Sequence, residues 1–199
     1  MMKHFFISIL LISLSTHANC QLAKNTWLVG GAGSFYTYNE DYVSFYQEVT
    51  NKSTKADLSA SIGHFFFDKL AGGVRPYFST FKSNSSGGGY TNNYKIAIGP
   101  FVRYYFLDPE KPYNILADVG YQVGVNKNIG GTNSRGKYNI FTMSAGTEIF
   151  FNSSVGIEFL FGYSGKKLSI EDSESVINMS SNSHGFQMSI GFQLHLEKK

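Results

Sequence analysis

The chain has 199 residues, a formal net charge of +3 and 16% charged residues. So small a charge excess implies no nucleic-acid partner, and a lone cysteine excludes a disulfide framework or a thiolate metal cluster. Aromatic side chains are plentiful (18 Phe, 13 Tyr, one Trp), glycines number 21 and prolines 4, a balance that leans towards all-β structure.

The first twenty residues read as a leader. Lys3 and His4 supply a short positive start, and Phe5 to Leu14 is an uncharged apolar run. That run is too short to span a bilayer as a helix, which needs about 20 residues. Ala18-Asn19-Cys20 fits a small-x-small cleavage site, so residues 1–20 are expected to be a removed secretory signal and residues 21–199 one domain. A competing reading has cleavage before Cys20 and lipidation of its thiol. His17 and Asn19 stand where a lipoprotein signal wants Leu and a small residue.

Eight segments then alternate apolar and polar residues with period two, the signature of half-buried strands. In chain order they are 25–38, 56–67, 70–81, 94–106, 113–125, 138–151, 155–163 and 186–196. Tyr94 to Phe106 is one of the clearest. Ile96, Ile98, Val102, Tyr104 and Phe106 fall on one face; Lys95, Ala97, Gly99, Arg103 and Tyr105 fall on the other. Each segment is long enough for a tilted membrane-spanning strand, about 9–11 residues. An even number lets a meander close without an edge.

The connections alternate in length. Phe67-Asp68-Lys69, Leu107 to Pro112 and Asn152-Ser153 are short. Asn39 to Lys55, Lys82 to Asn93, Asn126 to Lys137 and Lys167 to Ser183 are long and mostly polar. Short turns on one rim and long loops on the other are the pattern of outer-membrane barrels. Both termini then fall on the short-turn, periplasmic rim. Aromatics gather beside the short turns, and Phe66, Tyr104, Phe106 and Phe151 are the expected interfacial girdle. The other face carries Gly, Ser and Ala, which suits a crowded interior better than the solvated exterior of a soluble barrel or sandwich.

Ser61-Ile62-Gly63-His64-Phe65-Phe66, Ile98 to Phe106 (IGPFVRYYF), Ser144 to Phe151 (SAGTEIFF) and Ile190-Gly191-Phe192 together resemble the porin-family outer-membrane β-barrel domain, the small OmpA/OmpX-like barrels. The resemblance runs over the mature chain. It implies an eight-stranded antiparallel up-and-down transmembrane barrel in a bacterial outer membrane, and no single activity. One departure stands out: many such barrels end on an aromatic read by the barrel assembly machinery, whereas this chain ends Leu196-Glu197-Lys198-Lys199.

Parity places Arg75, Lys95, Arg103, Asp118, Glu148 and Glu158 on the interior face, three of each sign. Unpaired charges there are costly, so the expectation is a salt-bridged plug rather than an ionic pathway. No catalytic constellation emerges. His64 and His195 lie near the short-turn rim, and His184 sits alone among serines near the other. Glu171-Asp172-Ser173-Glu174 lacks calcium-loop spacing, and Ser85 to Gly89 lacks the Lys-Ser/Thr of a phosphate cradle. No metal or cofactor is expected.

The loop 39–55 is unusually apolar for an exposed segment. Tyr42, Phe45 and Tyr46 make it a candidate contact loop, and the alternation of Tyr42, Ser44 and Tyr46 extends the strand pattern. The leading expectation is a structural or surface-interaction barrel with a filled lumen. Its partners would be outer-membrane lipid, the assembly machinery and an extracellular partner on the loops. Narrow or gated porin-like transport comes second, and an outer-membrane lipid-modifying enzyme third.

Overall fold

The computed structural model describes residues 22–44, 47–129, 134–171 and 178–197. Cys20, the leader, Phe45 and Tyr46 therefore lie outside the described residues, as do the side chains of Tyr42 and Glu171.

Eight antiparallel strands form a closed barrel in sequence order. They are β1 (Trp27–Ser44), β2 (Gln47–Phe67), β3 (Leu70–Ser85), β4 (Tyr90–Tyr105), β5 (Tyr113–Ile129), β6 (Ser134–Phe150), β7 (Val155–Glu171) and β8 (Asn178–Leu196). The period-two faces sort as expected. On β5, Asn114, Leu116, Asp118, Gly120 and Gln122 are buried while Ile115, Val119, Tyr121 and Val123 are exposed.

The strands outrun their expected ends on the upper rim, the one opposite the short turns. Most of the four long connections continue as paired strand: Thr37↔Thr54 passes up to Ser44↔Gln47, and Gly136↔Ile170 carries β7 well beyond Tyr163. Their Asn, Ser, Thr and Lys content looks loop-like by composition. It is nevertheless paired, and the ladder carries it beyond the apolar band.

Two prolines mark lapses in the ladder. Pro76 pairs with Ile98 on one side, but the β2–β3 ladder skips from Ser59↔Tyr77 to Ile62↔Val74. Pro100 pairs with Val74, while the β4–β5 ladder skips from Ile98↔Val123 to Phe101↔Gly120. Proline has no N–H to donate, so each strand keeps one neighbour's bonds and drops the other's.

The lower rim is tightly finished. Phe65 keeps the inward parity of Ser61 and Gly63, and a bulge in β2 between Phe65 and Phe67 then leaves both Phe66 and Phe67 outside. Asn25 adopts φ 71°, which folds the segment before β1 back so that Leu22 enters the lower mouth. Leu22 there packs with Leu28, Phe65, Ala71, Phe101, Tyr105, Leu116 and Phe150. Lys69 N–H donates to Leu22 O at 2.8 Å, fixing the segment to the β2–β3 turn.

Candidate functional site

The lower half of the lumen is solid. Arg103, Tyr105, Phe65, Phe101, Leu22, Leu28, Leu116, His195, Gln193, Glu148 and Asn114 all have less than 2% of their surface exposed. Two polar networks thread this layer.

Asp118 on β5 is the hub of the first. Arg75 on β3 grips it with both terminal nitrogens, Nη1 to Oδ1 and Nη2 to Oδ2, each at 2.8 Å. This is the bidentate fork that makes Arg–carboxylate pairs strong. Arg103 on β4 donates Nε to Asp118 Oδ2 at 3.1 Å, and its Nη1 stands 2.7 Å from Glu158 Oε2 on β7. The Arg103–Glu158 contact is a close ion pair without hydrogen-bond alignment. Ser61 Oγ accepts from Arg75 Nε at 3.0 Å, and the guanidinium lies 4.6 Å from the Phe101 ring centroid. Gln122 donates its side-chain amide to Arg75 O at 2.9 Å.

The second network centres on Glu148 on β6. Tyr105 donates its hydroxyl to Oε2 at 2.7 Å, and His195 Nε2 meets Oε1 at 2.8 Å. Phe65, Tyr105 and Phe150 surround the His195 imidazole with ring centroids 5.5–6.2 Å away. The space for the Glu148 chain exists because residue 156 is glycine. A Cβ there would strike Glu148 Oε1 and sit 2.8 Å from its Cγ.

All six charges assigned to the interior by parity do lie on the inner face. Arg75, Arg103, Asp118 and Glu158 share one network, and Glu148 belongs to the other. Lys95 joins neither; its ammonium sits 5.0 Å over the Tyr138 ring. His195 and Tyr105 complete the Glu148 network, a pairing the sequence does not show. His195 stands on the inner parity of β8 and Tyr105 on that of β4, so alternation places both inside but does not pair them with Glu148.

Above the plug the lumen opens. A cavity of about 470 Å³ is bounded below by Arg75, Asp118 and Glu158 and above by Asp57, Tyr77 and Lys166. Asp57 is already engaged: Tyr77 donates to Oδ1 at 2.7 Å, and Lys55 Nζ lies 3.2 Å from Oδ2.

The four expected girdle residues, Phe66, Tyr104, Phe106 and Phe151, are exposed on the outer surface at the lower rim. Their sequence neighbours Phe65, Tyr105 and Phe150 point inward. His184 is exposed on the upper outer face, 6.3 Å ring to ring from Tyr163. Among the described residues, no group of three or more His, Cys, Asp or Glu is placed to hold a metal ion, and no helix is long and apolar enough to cross a membrane.

No protein-family model matches the chain, and no curated protein does. Solved structures do. The outer membrane protein OprG from Pseudomonas aeruginosa is 12% identical, with 90% of this chain and all of that one covered at a TM-score of 0.48. Neisserial surface protein A is 14% identical over 85% and 96% at a TM-score of 0.43. The translocator domain of the autotransporter NalP from Neisseria meningitidis is 9% identical over 97% and 68% at 0.42. Likeness this distant carries no argument about activity. The eight-stranded barrel rests on the chain's own strand register, and it agrees with the fold that the resemblance to small OmpA/OmpX-like barrels implies.

Proposed function

We propose that this protein is a barrel of the bacterial outer membrane with a structural or surface-interaction role, rather than an open pore or an enzyme. One observation carries the reading: the barrel is inverted relative to a soluble protein. Large apolar side chains project outward from all eight strands, among them Val29, Ile62, Phe78, Ile98, Val123, Met143, Phe161 and Ile190, while Arg103, Asp118 and Glu148 are buried inside. A contiguous apolar belt of this extent is untenable in water and is what hydrocarbon requires of a β-barrel wall. In this setting the short-turn rim faces the periplasm. The aromatic ring of Trp27, Phe66, Tyr104, Phe106, Tyr113 and Phe151 sits at that interface.

The lower lumen, filled by side chains as deeply buried as Arg103 and Tyr105, supports a non-conducting role. The strands that extend above the belt are the surface offered to an extracellular partner. Transport of a small solute is the second reading. The cavity above the plug favours it, although the plug below must then move.

Trp27 is the only tryptophan and is partly exposed on the outer face. Its fluorescence in vesicles of brominated phosphatidylcholine tests the placement. Quenching is expected once the refolded chain inserts. A soluble monomer whose Trp27 emission ignores the bromine would overturn the membrane reading.

A further inference from the structure

The wall of the barrel is unequal. The β1–β2 ladder runs from Trp27↔His64 to Ser44↔Gln47, and β7–β8 from Val155↔Leu194 to Glu171↔Asn178. The closing ladder between β1 and β8 has only five pairs, Trp27↔Leu196 to Gly31↔Phe192. Above it, residues 32–44 of β1 and 178–191 of β8 have no partner across the seam. Their neighbours leave them bare: Phe35 is 71% exposed, Phe186 76%, Met188 84% and Ile190 64%. Inside, the upper cavity reaches this seam, lined there by Gly31 to Ser34 from β1 and Gln187 to Ile190 from β8.

In a bilayer such a seam is unstable by itself, since backbone groups that face hydrocarbon without a partner are strongly disfavoured. Something with both a polar and an apolar end fits the opening. The apolar end is specified by the flanks, Phe35 on one edge and Phe186, Met188 and Ile190 on the other. The open edge from Phe186 to Gly191 spans roughly 17 Å, room for a long hydrocarbon chain. The polar end is specified by charge. Asp57, Asp118 and Glu158 are each already paired with Lys55, Arg75 or Arg103. Lys166, at the cavity wall, and Lys95, close enough to feel its charge, form no close ion pair among the described residues; Asp57 lies near both but is held by Lys55 and Tyr77. Lys166 lies above Tyr163, the last large outward aromatic of β7, at the level where a lipid head would sit.

We propose that the β1–β8 seam is a binding site for an anionic amphiphile. Its carboxylate or phosphate head would meet Lys166 and the free edge amides of β1, and its chain would run down the seam between Phe35 and Met188. The inference rests on the membrane reading above. It adds a ligand class and an entry route from the side of the barrel.

The test uses the full chain refolded into phosphatidylcholine vesicles and a palmitate analogue carrying a mid-chain diazirine. Photolabelling is expected to saturate and to concentrate on Phe186, Met188, Ile190 and the facing edge of β1. Lys166→Gln should raise the half-saturating concentration at least tenfold, whereas Lys167→Gln, on the outer face, should not. The methyl ester should label as weakly as Lys166→Gln does with the acid, and inorganic phosphate should compete poorly. Labelling spread evenly over outward residues such as Ile98 and Phe161 would overturn the site. Equal labelling by acid and ester, or equal effects of the two lysine variants, would overturn the anion contact. Full displacement by inorganic phosphate would show a free-anion site that needs no chain, which also contradicts the proposal. Trp27 quenching by bromolipid in the same samples reports insertion independently, so failed labelling in an inserted barrel counts against the seam site alone.

Discussion

Glu148 and Glu158 face each other across the β6–β7 ladder, yet their carboxylates take different closest partners. Two like charges directly opposite are destabilising unless each is drawn elsewhere. Glu148 turns down to Tyr105 and His195, and Glu158 turns up to Arg103. The two carboxylates are therefore not equivalent. Glu148→Ala strands a buried hydroxyl and a buried imidazole, and should cost about 3 kcal/mol. Glu158→Ala leaves Arg103 still held by Asp118, and should cost about half as much. Urea unfolding in lipid, followed by the loss of the heat-modifiable gel band, measures both. Equal losses would refute the division into two networks.

Asp118 serves two guanidiniums, so its removal should be the most damaging single change in the lumen. Asp118→Ala leaves Arg75 and Arg103 buried without their shared anion, a loss of roughly 3–5 kcal/mol. The same unfolding assay should rank it above Glu158→Ala and Ser61→Ala.

Gly156 is needed for space beside Glu148 rather than for backbone freedom. Gly156→Ala should destabilise by about 1–3 kcal/mol through overpacking. In a Glu148→Ala background the side chain it collides with is gone, and the penalty should largely vanish. A double-mutant cycle in the unfolding assay reads this directly; additive losses would show that residue 156 matters for some other reason.

Gln193 is fully buried, and neither its amide nitrogen nor its amide oxygen has a hydrogen-bond partner among the described residues. A buried polar group without a partner costs about 1–3 kcal/mol. Gln193→Met keeps most of the volume without that cost, so its unfolding midpoint should equal or exceed that of the parent. A marked loss would reveal a bond that Gln193 makes and Met cannot.

At the short-turn rim, Lys69 Nζ lies 2.9 Å from Asp108 Oδ1. Hydrogen bonding to Lys69 and its charge hold the Asp108 carboxyl below its ordinary range. A lowered carboxylate contributes stability that is present above its unfolded value and is lost as pH falls through the folded one. The pair is exposed, so the effect should be small and screened by salt. Asp108→Asn should differ slightly from the parent at neutral pH and low salt, and not at all once the carboxyl is protonated.

Much of this architecture was legible in the chain. Alternation placed Arg75, Lys95, Arg103, Asp118, Glu148 and Glu158 on one face, because a strand's side-chain period leaves no choice once its partner face is apolar. Three things were not legible, each for a physical reason. Strand ends above the belt were hidden, since polar residues on both faces erase the contrast that marks a strand. The outward turn of Phe67 beside Phe66 depends on a bulge, which breaks parity locally. The His195–Glu148 pair joins residues 47 apart in sequence, and the short β1–β8 ladder concerns edges far apart in the chain; only closure of the barrel brings either together.

The central claim is a membrane barrel whose lumen is plugged by Asp118, Arg103 and Glu148. Single-channel recording of the refolded chain in a planar bilayer tests it most directly. Insertion without stable open conductance is expected, with current appearing only when the plug is dismantled, as in an Arg103→Ala, Glu148→Ala, Tyr105→Ala variant. A long-lived open conductance from the unaltered chain would contradict the account.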